Sequence, residues 1–330
     1  MAKIGLFDIA RGKTTKEIVK WFTAKGHEVR DAMGADPEIV KWSDVTLFEW
    51  IDHNLEAYTL SNDPPNEQWP LGDVPWIEAR AMKKKIVTRG MDIEIYAGHF
   101  RSIDWNEVSR LIYPADHIWE LMNDGSVDWN KYPHLNPEKI TLSVDMNEWT
   151  FKDRSRDIWD KSEVNIAFMG DMWWAKAPEM MLQVLAEAQR RSGKKIVGHV
   201  RGDWHYGTDA WFIKYRDNMI KKLNLDVRFY DWVDTLDGWL DQMDFFVTTN
   251  MKDAFSLIVA QAAAKGIPTF PHNFWGAEGL YPKKWVWSTV DELINKMFLF
   301  ANKSEDYRQF INDNYSNEKV MPKWESVLLG

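Results

Sequence analysis

Residues 250–281, NMKDAFSLIVAQAAAKGIPTFPHNFWGAEGLY, read as a loop, a buried helix, a short strand and a second loop. Polar Asp253 precedes the apolar run Phe255, Leu257, Ile258 and Val259, and Gln261 lies eight residues after Asp253. Small Ala262, Ala263 and Ala264 let a helix approach a sheet closely, and Gly266 stops it. An α/β domain presents a nucleotide in this way, at the loop between a strand and the helix after it.

Outward from that stretch, the second half alternates strand and helix signals. Strands are expected at 164–169, 195–200, 227–230, 244–249 and 269–271. Helices are expected at 178–190, where Pro178 suits a first turn, at 211–223, and as a short piece at 236–242. In the first half, strands are expected at 3–9, 45–50, 85–88 and 111–113. An amphipathic helix at 15–25 carries Ile18, Val19, Trp21 and Phe22 and is closed by Gly26. Residues 60–75, with four prolines, read as a surface loop. Alternation of this kind means mostly parallel sheets covered by helices. Two such domains, 1–150 and 151–330, joined near 145–161, leave a cleft. Ligands of open parallel sheets collect at the carboxyl ends of the strands.

Composition narrows the function classes. The chain has 330 residues, 45% of them hydrophobic, enough for two ordinary cores. It has no cysteine, which removes disulfides, thiolate metal sites and cysteine nucleophiles together. The eight histidines show no tight ligand spacing, so neither a metal cage nor a tightly bound cofactor is expected. No apolar run reaches the ~20 residues of a membrane span, and the first residues lack a signal-peptide core; the expectation is a soluble, cytoplasmic protein. The net charge is −9, and its excess sits in the first half: residues 1–150 hold 17 Lys and Arg against 25 Asp and Glu, residues 151–330 hold 24 against 25. A polyanion-binding surface shows the opposite bias.

The Asp253 to Gln261 spacing resembles the donor loop and helix of retaining, group-1 glycosyltransferases, whose motif is a Glu, seven residues and a second Glu. Both positions are altered here. Residues 165–176, NIAFMGDMWWAK, are similar to the family's strand ending in Gly-Arg with a lysine beyond it; residues 227–234, VRFYDWVD, to its strand and turn before the small helix. Residues 266–282, with His-Asn-Phe and Gly-Ala before Tyr-Pro, and residues 89–96, RGMDIEIY, resemble a bacterial and phage-like subset. The resemblance implies the GT-B architecture, two Rossmann-like domains facing each other across a cleft. The first would bind the acceptor and the second a nucleotide-diphosphate sugar, UDP- or GDP-linked, with the final helix able to return to the first domain. It implies transfer to an acceptor hydroxyl with retention of configuration, without a bound metal. The acceptor is left open between a saccharide, a lipid-linked saccharide and a hydroxymethylated DNA base.

Carried residue by residue, the resemblance makes Lys176 the cation for the leaving phosphate, near a helix N-terminus at Pro178. Gly170 ends the strand before it. Asp171 stands where the family has its arginine, so Arg201 becomes the candidate second cation. Asp253 is placed against the transferred sugar, the amides of Ser256 and Leu257 against the distal phosphate, and Gln261 against the ribose hydroxyls. In the first domain, Gly12, Arg89, Glu94 and Tyr96 are the candidate acceptor contacts, with Glu94 also a candidate for the transfer step. Met91 replaces a histidine of related sequences, whose role passes to His99, His53 or a backbone group. Among the 20 tryptophans, Trp173, Trp174, Trp204, Trp275, Trp285 and Trp287 fall in or near loops where indole faces can stack on sugars or bases, whereas Trp21, Trp119 and Trp239 suit the core. His272 is expected to shape its loop. Three other readings share the architecture: a glycosyltransferase for hydroxymethylated pyrimidine in DNA, a nucleotide-sugar epimerase or hydrolase, and a non-catalytic nucleotide-sugar-binding protein.

Overall fold

The computed structural model describes every residue except 11, 35, 61–73, 155–157, 171–172, 203–209, 234 and 302, and only the backbone of 60 and 74. The chain forms two compact units, Met1–Ser143 with Asn317–Gly330, and Val144–Ser316.

The first unit is built on six parallel strands, β1 (Lys3–Phe7), β2 (Glu28–Ala32), β3 (Val45–Phe48), β4 (Lys85–Arg89), β5 (Arg110–Tyr113) and β6 (Glu138–Lys139), in the order β2-β1-β3-β4-β5-β6. The central strands are continuous apolar runs because helices cover both their faces. Ile4, Leu6, Val45, Leu47, Val87 and Ile112 meet Ile18 and Phe22 of the helix Lys16–Ala24 in one core. Val320, Met321 and Trp324 of the last helix, Asn317–Leu329, complete it. Strand β2 has no apolar pattern to announce it. Its residues EVRDA are exposed or half-buried, and it holds its place at the sheet edge through backbone pairing with β1. The two-residue β6, at the other edge, is equally silent.

The second unit repeats the scheme with β7 (Glu163–Met169), β8 (Lys195–Arg201), β9 (Asp226–Tyr230), β10 (Phe245–Val247) and β11 (Thr269–Phe270), all parallel, in the order β11-β10-β7-β8-β9. Ile166, Phe168, Phe245, Val247 and Phe270 pack on Met181, Leu182 and Leu185 of the helix Pro178–Ser192. The strand expected at 244–249 is only three residues long, since Asp244 turns its carboxylate onto the Asn165 amide and Thr248 to Asn250 already belong to the loop. The loop expected at 60–75 lies almost wholly outside the described residues; its ends belong to the helices His53–Leu60 and Val74–Ala81. No helix among the described residues is long and apolar enough to cross a membrane.

Candidate active site

At the carboxyl ends of β7 and β10 in the second unit, two loops are fastened to each other. The Met251 amide donates to the Ala175 carbonyl at 2.8 Å, and the Thr249 hydroxyl donates to the Lys176 carbonyl at 2.5 Å. Lys176 ends a single 3-10 turn, Trp174–Lys176; Ala177 comes next at φ +40°, and Pro178 opens the long helix. A left-handed alanine is uncommon and costs energy, so the junction is held by its surroundings. Gly170, at φ +147°, lies under the Lys176 stem, and a Cβ there would sit 3.6 Å from Lys176 Cδ. Next to it, a Cβ on Gly202 would come within 1.9 Å of the Gly170 carbonyl oxygen, so the ends of β7 and β8 approach as only glycine allows.

The Lys176 ammonium lies 3.3 Å from Asp253 Oδ2, with 23% of the lysine side chain and 14% of the aspartate side chain exposed. Asn250 Nδ2 donates to the same oxygen at 2.6 Å, and the Asn250 carbonyl accepts from His272 Nδ1 at 3.1 Å. Burial holds the His272 pKa below its ordinary value, against the Asn250 contact, so at neutral pH the ring is a neutral donor that fixes the loop. The chain His272, Asn250, Asp253, Lys176 thus aims one carboxylate and one ammonium at the open edge. Asn250 was not singled out by sequence reasoning; its only signal is its position directly after the strand residues.

The helix Leu257–Ala264 starts beside this pair. Its first backbone bonds run from the amides of Val259 and Ala260 to the Ser256 carbonyl, which leaves the amides before them to face the loop. Gln261 is half-buried on the second turn. Arg201 stands at the end of β8, but its guanidinium is enclosed: it donates to the Asp231 carbonyl, lies 5.1 Å from the Tyr230 ring and 4.9 Å from that of Trp239, and is 6% exposed. Arg201, expected as the second cation, thus lies against the Tyr230 and Trp239 rings, and its Nε has no hydrogen-bond partner among the described residues. Asp171 and Trp204 lie outside the described residues. Of the loop tryptophans, Trp174 and Trp275 are 63% and 53% exposed, with the Lys252 ammonium 5.3 and 5.7 Å from the Trp173 and Trp174 rings. Trp285 and Trp287 are core residues instead, 1% and 0% exposed, the first stacked on Tyr307 and the second donating to the Phe270 carbonyl.

In the first unit the carboxyl ends of the strands gather a different set. Arg89 is 1% exposed; its Nε and Nη2 grip Glu49, its Nη1 and Nη2 reach the carbonyls of Thr141 and Thr14 at 3.4 and 3.3 Å, and its guanidinium lies 4.9 Å from the Trp324 ring. Acceptor contact is thereby corrected for Arg89, whose donors are consumed by its own unit. Glu94 is 4% exposed, accepts from the Met91 amide through Oε1, and leaves Oε2 without a hydrogen-bond partner among the described residues. Burial pushes its pKa up to about 8, against the pull of the Met91 amide, so this carboxyl is protonated at neutral pH. Tyr96 is 45% exposed on the short helix Ile93–Ala97, and Gly12 lies in an open turn at φ +74°. Met91 is buried, His99 pairs with Glu56 at 2.9 Å, and His53 lies 3.9 Å from Asp52. Asp8 and Trp50, both missed in the sequence, are joined here: the indole Nε1 donates to Asp8 Oδ1 at 3.1 Å, and Asp8 also takes the hydroxyls of Thr14 and Thr15.

Residues 163–284, which span the whole Lys176 and Asp253 region, match the family model described as Glycosyl transferases group 1. This segment is a group 1 glycosyltransferase domain. Solved structures extend the likeness to the full chain as a fold. Anabaena HepE in complex with UDP superposes with a TM-score of 0.69 at 13% identity over 99% of both chains. A glycosyltransferase from Rickettsia africae gives 0.65 at 12% identity, over 99% of this chain and 98% of its own. A TarM variant from S. aureus, solved with Fondaparinux, alpha-GlcNAc-glycerol and UDP, gives 0.62 at 12% identity over 87% of this chain, which spans 55% of its length. No curated protein matches the sequence. The fold of the glycosyltransferase domain and its partner unit is GT-B, α/β throughout.

Proposed function

We propose that the chain transfers a sugar from a UDP-sugar to an acceptor hydroxyl with retention of configuration, the second unit holding the donor and the first the acceptor. The observation that carries the reading is the open Lys176 and Asp253 pair at the carboxyl edge of a domain of this family, beside the helix Leu257–Ala264. UDP is the bound nucleotide in the HepE and TarM structures, which favours it over GDP.

In this reading the Lys176 ammonium exchanges part of its contact with Asp253 for the diphosphate, and the first amides of the helix Leu257–Ala264 take the distal phosphate. Charge grows on that phosphate as the glycosidic bond breaks. Donors already fixed in place stabilise it without reorganisation. Asp253, tied by Asn250, is left to hold a sugar hydroxyl. Glu94, protonated and with one oxygen unsatisfied, is the candidate to donate a hydrogen bond at the acceptor side.

Calorimetric titration with UDP, UDP-glucose and GDP-linked sugars, followed by the anomeric proton signal of the product, tests it. UDP binding and an α-linked product from an α-linked donor are expected. No binding of any nucleotide diphosphate at millimolar concentration sinks the donor assignment, and an inverted product sinks retention. Binding with no turnover or donor hydrolysis would favour a non-catalytic sugar-nucleotide receptor.

A further inference from the structure

We infer that Lys252 is the second cation of the donor site and holds the distal phosphate of the nucleotide sugar together with Lys176. The inference deepens the proposed function and rests on its assignment of this edge to the donor. A nucleotide sugar carries a negative charge on each phosphate. When the bond between the anomeric carbon and the distal phosphate oxygen breaks, its electron pair stays on that oxygen and adds a further charge. Lys176 alone does not meet that charge, because Asp253 lies 3.3 Å from its ammonium and the opposite charges of the pair cancel. The amides at the start of the helix Leu257–Ala264 add only partial charge. A further full positive charge on the same two loops favours the broken bond.

Lys252 supplies it by position. It directly precedes Asp253, on the loop whose Met251 amide donates to the Ala175 carbonyl at 2.8 Å. The two loops send their lysines across to each other. Lys176 of the first reaches Asp253 of the second, whereas Lys252 of the second reaches back to the first, its ammonium 5.3 Å from the Trp173 ring and 5.7 Å from that of Trp174. The two rings stand 5.2 Å apart at 69°, edge to face, so one ammonium rests against both. From Trp174 to Lys176 the chain makes a single 3-10 turn. The span 173–176 therefore carries one lysine and anchors the other.

How each cation is held separates Lys252 from Arg201. A ring face attracts an ammonium through its quadrupole, a contact that leaves the charge available to an anion approaching from the other side. Lys252 is half-buried. Arg201 is 6% exposed, and its contacts are with Tyr230, Asp231 and Trp239, none of them on the two loops that carry Lys176 and Asp253.

Calorimetry with UDP and UMP on the full chain tests the assignment, since only UDP brings the distal phosphate. Lys252→Gln should weaken UDP about 10-fold and leave UMP within about 2-fold, and Lys252→Arg should restore UDP, because a charge-assisted contact is lost and then replaced. Trp174→Leu, at a 63% exposed position, removes one of the rings that hold the ammonium and should weaken UDP about 3-fold. Melting temperatures check that each variant folds. A UDP-over-UMP preference that survives intact in Lys252→Gln overturns the inference and returns the second charge to Arg201. An equal loss for UDP and UMP overturns it too, as the mark of a distorted loop. The two levels separate in the same titrations: UDP that fails to bind the wild-type chain removes the donor reading, whereas UDP bound alike by the wild type and Lys252→Gln removes this inference alone.

Discussion

Each unit places a cation and a carboxylate together at the carboxyl edge of its sheet, and the two pairs differ in one physical respect. Arg89 and Glu49 are 1% and 0% exposed, with every reachable donor of the guanidinium spent on Glu49 and backbone carbonyls. Lys176 and Asp253 keep 23% and 14% of their side chains open, at a looser 3.3 Å. The first pair cannot be traded for a ligand, because opening it would leave two charges buried without partners. The second can exchange one partner for a phosphate at small cost, since both heads still reach solvent. In the sequence motifs, Lys176 is the strongest cationic candidate and Arg89 a candidate acceptor contact, so both stand as site residues. Burial separates architecture from chemistry.

The largest expected effect comes from the closed pair. Arg89→Ala leaves Glu49 as an unpaired buried charge and should cost about 3–5 kcal/mol of stability. Chemical denaturation reads this directly. A variant that keeps its stability and loses only acceptor affinity would dissolve the contrast and restore Arg89 to the site.

Glu94 sharpens the contrast from the same edge. Its carboxyl titrates near 8 in the folded chain against about 4.5 unfolded, so the unfolded state releases its proton first. Stability present below about pH 4.5 is therefore lost as pH rises toward 8, and near pH 7 the loss amounts to about 3 kcal/mol. Glu94→Gln keeps an acceptor for the Met91 amide and removes that penalty. It should gain little at pH 4.5 and up to about 3 kcal/mol at pH 7, read from melting curves across pH. A gain independent of pH would contradict burial as the cause.

How far these differences were legible in the sequence depends on what carries the signal. The central strands and the helix Leu257–Ala264 announce themselves, because burial on both faces demands unbroken apolar runs such as Leu47 with Phe48 or Ile258 with Val259. Strand β2 does not, since an edge strand needs only backbone pairing and EVRDA supplies no pattern. Lys176 and Asp253 were visible through the family-like motifs around them. The enclosure of Arg89 and Arg201 was not, because it depends on Glu49, Thr141 and Trp324 in one case and on Tyr230, Asp231 and Trp239 in the other, residues set by the sheet order. The burial of Trp285 and Trp287 was hidden for the same reason: a loop-like sequence carries no record of what folds over it.

On the open side, Lys176→Ala should leave folding nearly unchanged and lower turnover ~10- to 150-fold, the equivalent of losing about 1.5–3 kcal/mol of a charge-assisted contact. Steady-state rates with saturating UDP-sugar measure it. Full activity would mean that the ammonium serves only Asp253, making the open pair as structural as the closed one.

The smallest effect distinguishes affinity from turnover within the second unit. Gln261 lies half-buried on the second turn of the helix Leu257–Ala264, farther along than the first amides of that helix, which the proposed function assigns to the phosphate. Its side-chain amide can donate one hydrogen bond and accept another, which suits a pair of ribose hydroxyls. Removing it should weaken UDP binding by about 1 kcal/mol, roughly 5-fold, while kcat stays close to wild type, because a ribose contact is made equally in the ground and transition states. Calorimetry with UDP and 2′,3′-dideoxy-UDP isolates the contact. Gln261→Ala should cost affinity for the first ligand and nothing for the second. An equal loss for both would show that Gln261 supports the helix through packing.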